Sequence, residues 1–181
     1  MTSTMSKQLD ITKMLHQVID LELTADDALE LMIGPEARLQ TVYVQLDMKL
    51  SAFAKAAGWA NVLHSHRDID HEQLRKLYVQ GLALFLLASA KRQWTHLVVL
   101  SDEQWQRITT ADKKDKLADL NKEYLAIKNF LNGAYFDRRH EDFRHAWHLW
   151  LKMGIIDFDI SPEEIATSYQ VMVDQFNAQF E

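Results

Sequence analysis

Apolar residues recur at three- and four-residue steps through most of this chain, a pattern that predicts helices. The richest stretch is residues 36–92. In its first half Leu39, Val42, Leu46, Leu50, Phe53 and Ala57 form one stripe. The opposite side carries Val44, Met48 and Ala52, so this helix is expected to be buried on both sides. In the second half Leu82, Leu84, Phe85, Leu86 and Leu87 are almost continuous. A helix there has the length of a bilayer span, but Glu72, Arg75, Lys76, Gln80, Lys91 and Arg92 crowd its ends and leave the apolar run too short. The expectation is two core helices, 36–58 and 70–92, packed as central neighbours, and no membrane span.

The breaks between periodic stretches place the other elements. Residues 1–9 read as a loose tail and 10–181 as a single domain. A helix begins near Asp10 or Thr12, with Ile11, Met14, Leu15, Val18, Ile19 and Leu21 on its stripe. Thr24 has the hydroxyl of an N-cap for a second short helix, 25–32, which Gly34 and Pro35 stop. Gly58 suits a left-handed C-cap, and Asp70 caps the next helix. Residues 93–100 (QWTHLVVL) fit a helix extension or a short extended piece. Ser101 starts a short helix, and 112–131 is an amphipathic one ended by Asn132 and Gly133. Phe143, Trp147, Trp150 and Leu151 mark another, capped at Gly154. Ser161, Pro162 and Glu164 make the clearest start signal, a capping box with proline in the first turn.

Composition sharpens this picture. Five Gly and two Pro in 181 residues favour an all-α chain. The net charge of −6, without a block of Lys and Arg, argues against nucleic acid as a partner. The absence of Cys removes disulfides, thiolate metal sites and cysteine nucleophiles, and fits a reducing compartment. The first residues are polar and lack the apolar core of a signal peptide, so the expected location is the cytoplasm. Five Trp and eight Phe are more aromatic surface than a small bundle hides, which predicts a homodimer.

Residues 44–50 (VQLDMKL), Trp59, 77–87 (LYVQGLALFLL) and the closing 154–170 (GIIDFDISPEEIATSYQ) carry a family resemblance. Together they resemble the dimeric all-α dUTPases and the related MazG-like nucleoside triphosphate pyrophosphatases. The resemblance implies a compact helical bundle built on two central helices. It also implies hydrolysis of a nucleoside triphosphate to monophosphate and pyrophosphate. That reaction needs two pairs of carboxylates on neighbouring helices to hold Mg²⁺. Here those positions fall on Gln45, Met48, Lys76 or Leu77, and Gln80, and none is acidic. The expected protein is therefore a homologue without the metal-binding acids, catalytically inactive, needing no cofactor, and acting as a binding or structural dimer. The alternative is a nucleotide pyrophosphohydrolase, dependent on Mg²⁺ or another divalent metal, with an altered site. If Lys76 points inward it replaces the metal as the positive charge, in a network with Gln45, Gln80 and Asp47. If Leu77 points inward, Lys76 lies in water.

Other polar groups offer further candidates. The family reads the uracil edge near His16, Gln17 and Asp20, which makes these the candidate nucleotide-binding residues; helix-surface exposure is the equal alternative. His64, His66, Asp68, Asp70 and His71 are the densest set of metal-ligand types, against a plain reading as a solvated link. His140, His145 and His148, near Arg138, Arg139 and Arg144, read as a solvated or Trp-adjacent face. Trp147 and Trp150 read as core or interface anchors rather than a base-stacking platform. The charge-rich 112–119 reads as a solvated helix face with local ion pairs.

Overall fold

The computed structural model describes residues 7–59 and 69–180. The elements run α1 (Ile11–Leu29), α2 (Pro35–Ala57), α3 (His71–Arg92), α4 (Asp102–Thr109), α5 (Leu117–Phe136), α6 (His140–Lys152) and α7 (Pro162–Asn177). A 3₁₀ turn, Thr95–Leu97, precedes α4, and a π-helical turn, Met153–Asp157, extends α6. Among the described residues there is no strand, and no helix is long and apolar enough to cross a membrane.

Helix α3 is the centre. Twelve of its residues are buried, round most of the helix, and the strip of Gln73, Lys76 and Gln80 is more open. Its largest contact is with α2, and α7 and α1 pack on it as well. Leu46, Leu50 and Phe53 of α2 meet it fully buried, each worth about 1.5–3 kcal/mol of apolar transfer. The hairpin of α5 and α6 adds Trp147 and Trp150, both at 0% exposure. The Trp150 ring stacks on Tyr78 at 4.9 Å, and the Tyr78 hydroxyl donates to the Trp150 carbonyl. Tyr169 ties α7 to α1 by donating to the Met14 carbonyl at 2.7 Å.

Most predicted signals are realised. Asp10, Asp70 and Ser101 accept from backbone N–H groups three residues on, and Ser161 with Glu164 forms a reciprocal capping box. Gly58 ends α2 at φ 73°.

Several expectations are corrected. Thr24 starts no new helix; α1 runs through to Leu29. Its last turns carry Glu22 and Asp26, one turn apart, which together grip Arg38, while Glu22 also meets Lys91. That grip requires an unbroken helix. Helix α5 runs past Gly133 to Phe136, and α6 is continued through Gly154 by the π turn. Residues 112–116 are not helical, and their ties are long-range: Lys113 pairs with Asp159, and the Lys114 N–H donates to Asp157. Helix α2 is not buried on both sides, because Val44 and Met48 are 59% and 63% exposed. Within the expected tail, Leu9 is buried and Gln8 donates to the Leu100 carbonyl.

Candidate functional site

Among the described residues, the positions expected to form a site differ in burial and in the face they occupy. Gln45 and Met48 are exposed, Met48 on the side of α2 opposite its buried stripe. On α3, Leu77 is buried, Lys76 is exposed and Gln80 is half-buried. Lys76 therefore does not replace a metal between the helices. Asp47, its supposed partner, is 60% exposed and pairs with Lys128. Of the nucleotide candidates, His16 and Asp20 face solvent, while Gln17 donates to Gln170 of α7 at 2.9 Å. His64, His66 and Asp68 lie outside the described residues. Asp70 is engaged as a cap, and His71 is exposed. Among the described residues no three His, Asp or Glu side chains converge as a metal site would require.

Convergent polar groups lie elsewhere, in a cavity of about 440 Å³ between α4, α5 and α6. Helical spacing builds two of its walls. Gln104, Arg107 and Ile108 come from one face of α4, and Arg144, His145, His148, Leu149 and Lys152 from one face of α6. Phe130 of α5 closes the third side, 5.3 Å from the His145 ring. Three cations line this space and no carboxylate does.

Behind the cavity sits a buried ionic triad. The Lys152 ammonium donates to Glu123 at 2.5 Å and to both oxygens of Asp157 at 2.8 and 3.0 Å. The π turn makes this possible. In an α-helix, residues five apart point about 140° away from each other. The wider turn, closed by the Phe158 N–H on the Met153 carbonyl, brings Asp157 back beside Lys152. The Asp157 side chain is fully buried.

Burial sets the protonation of two groups here. Burial, reinforced by the neighbouring Asp157 carboxylate, pushes the Glu123 carboxyl up to about 7, against the pull of Lys152. Burial, then the charges of Arg144, His145 and Arg107, pushes His148 down to about 4. His148 is therefore neutral at pH 7. Its Nε2 and the Glu123 Oε2 are buried without a hydrogen-bond partner among the described residues.

The sequence groups His145 and His148 with Arg144 on a solvated or Trp-adjacent face, and the face does adjoin the buried Trp147 and Trp150. Nothing in the local pattern singles out Arg107, Glu123 or Asp157. For Lys152 the available signal is the repeat of cation and imidazole at Arg144, His148 and Lys152, four residues apart on a helix whose other face is Trp-rich. No family model, curated protein or solved structure matches the chain.

Proposed function

We propose that the chain is a dUTPase-like all-α protein that has lost catalysis and acts as a binding protein, as a cytoplasmic homodimer. The observation that carries this reading is the chemistry of the four positions where the resembling family holds metal. They are Gln45, Met48, Lys76 or Leu77, and Gln80, with Gln45, Met48 and Lys76 turned to solvent and Leu77 in the core. An amide, a thioether and an aliphatic chain are poor ligands for Mg²⁺, which takes carboxylate and water oxygens. The exposed Val44 and Met48 on α2 support the dimer. The absence of Cys supports a reducing compartment.

The test is pyrophosphate release from dUTP, dCTP and the other nucleoside triphosphates with Mg²⁺ or Mn²⁺. The expected outcome is no turnover above buffer, unchanged by either metal. Steady metal-dependent release would overturn the reading in favour of an altered-site pyrophosphohydrolase.

A further inference from the structure

The geometry points to the cavity between α4, α5 and α6 as a binding site for an organic phosphate, a phosphate monoester carried on a flat apolar group. The inference rests on the binding half of the proposed function and does not use the dUTPase resemblance, whose acid positions lie on α2 and α3.

The charge of the lining selects the anion. Arg107, Arg144 and Lys152 face the space with no carboxylate among the lining residues. A carboxylate ligand carries one negative charge, whereas a phosphate monoester carries about −1.5 to −2 at pH 7 and offers three acceptor oxygens. Two guanidinium forks suit those oxygens. Both are free to turn inward. The present partner of Arg107 is Glu103, one turn back on α4, and that of Arg144 is Glu141, three residues back on α6. Such exposed local pairs hold weakly and exchange readily.

Two further observations point to a ligand. His148 Nε2 is buried with no protein partner among the described residues, which is costly unless something else bonds it. As neutral imidazole it can donate from one nitrogen without repelling the neighbouring arginines. Lys152 is fixed at the floor by Glu123 and Asp157, which take up its three N–H donors and offset its charge, so the anion falls to the two arginines. Burying such an ionic cluster is expensive, and apolar residues of similar size serve stability as well or better.

The remaining wall sets the body of the ligand. Ile108, Ala111, Phe130 and Leu149 are apolar, and the Phe130 and His145 rings lie 35° apart. A flat ring packs against them. The volume of about 440 Å³ falls in the range of small-molecule sites.

The experiment is calorimetric titration of the whole chain with phenyl phosphate, alongside inorganic phosphate, benzoate and benzyl alcohol. Phenyl phosphate is expected to bind one per chain. Each of the other three is expected to be weaker by about tenfold or more. Arg144→Gln and Arg107→Gln should each weaken phenyl phosphate by about tenfold, while Lys13→Gln, remote on α1, leaves it unchanged. Arg107 is 73% exposed, so its variant folds even if Arg144→Gln does not. No saturable binding up to about 10 mM, or binding indifferent to both arginines, overturns the site. Benzoate binding as tightly overturns the choice of phosphate, and inorganic phosphate binding as tightly overturns the apolar body. None of these outcomes bears on pyrophosphate release, so failure here leaves the reading of the acid positions intact.

Discussion

Two residues at the cavity make opposite demands on pH. Glu123 has its pKa raised from 4.5 to about 7, so the stability it contributes is full below pH 4.5 and is lost as pH rises through 7. His148 has its pKa lowered from 6.5 to about 4, so its contribution is full above pH 6.5 and is lost as pH falls toward 4. Between pH 4.5 and 6.5 the two proton differences cancel. Removing one group exposes the other. Relative to wild type, Glu123→Gln should lose about 1.4 kcal/mol per pH unit as pH falls from 7 to 4.5. His148→Gln should gain at about that rate from pH 6.5 to 4. Urea unfolding across pH measures both differences, and two flat difference curves would show that neither group is perturbed. Lys152 is the third member. Lys152→Met leaves the fully buried Asp157 facing Glu123 without a counter-charge, and should cost about 3–5 kcal/mol by the same measurement.

At the scale of elements, glycine shows what a sequence can and cannot say. Gly58, Gly133 and Gly154 all follow periodic apolar runs, and each reads as a helix stop. Only Gly58 is one, with its positive φ. At Gly133 a Cβ would lie 2.1 Å from Asp142 and 2.5 Å from Arg139, across the tight α5–α6 hairpin. At Gly154 a Cβ would lie 2.1 and 2.2 Å from the buried Tyr78 ring. Those two glycines serve close approach inside helical segments: the Tyr78 that Gly154 meets is distant in sequence, and the Arg139 and Asp142 that Gly133 meets lie beyond the next turn, so helical periodicity reveals neither contact. The π turn is hidden for a related reason. Its purpose, pairing Lys152 with Asp157, appears only once both are buried against Glu123. Gly154→Ala therefore tests the crossing of α3 and α6. The ring of Tyr78 is stacked on Trp150 and cannot swing away, so the substitution should cost about 3 kcal/mol or more. Near-UV circular dichroism should also lose aromatic signal. An unchanged melting temperature would mean that the ring moves freely, contrary to its packing.

For the whole molecule, the helical class and the central pairing of α2 and α3 were legible because they follow from periodicity and from a helix apolar all round. How the aromatic residues are disposed was not legible from their number. The surplus of Trp and Phe predicts an interface, yet every described Trp is buried or half-buried, and Phe53, Phe85 and Phe143 are fully enclosed. The chain absorbs most of its own aromatics through a continuous core that includes the α5–α6 hairpin, with Phe136 left 75% exposed. The proposed dimer therefore draws little on the Trp and Phe surplus. Val44 and Met48 lie one turn apart on the outer side of α2, where four-residue spacing makes a single apolar strip. In water such a strip is an unburied cost that a second copy removes. Val44→Glu with Met48→Glu should then convert a dimer to a monomer. Because both side chains are exposed in the single chain, the substitutions should change the stability of that chain by only about 0.5 kcal/mol each. Sedimentation at increasing concentration separates the cases. A wild-type chain that stays monomeric sinks the dimer altogether, and a dimer that survives both substitutions moves the interface away from α2.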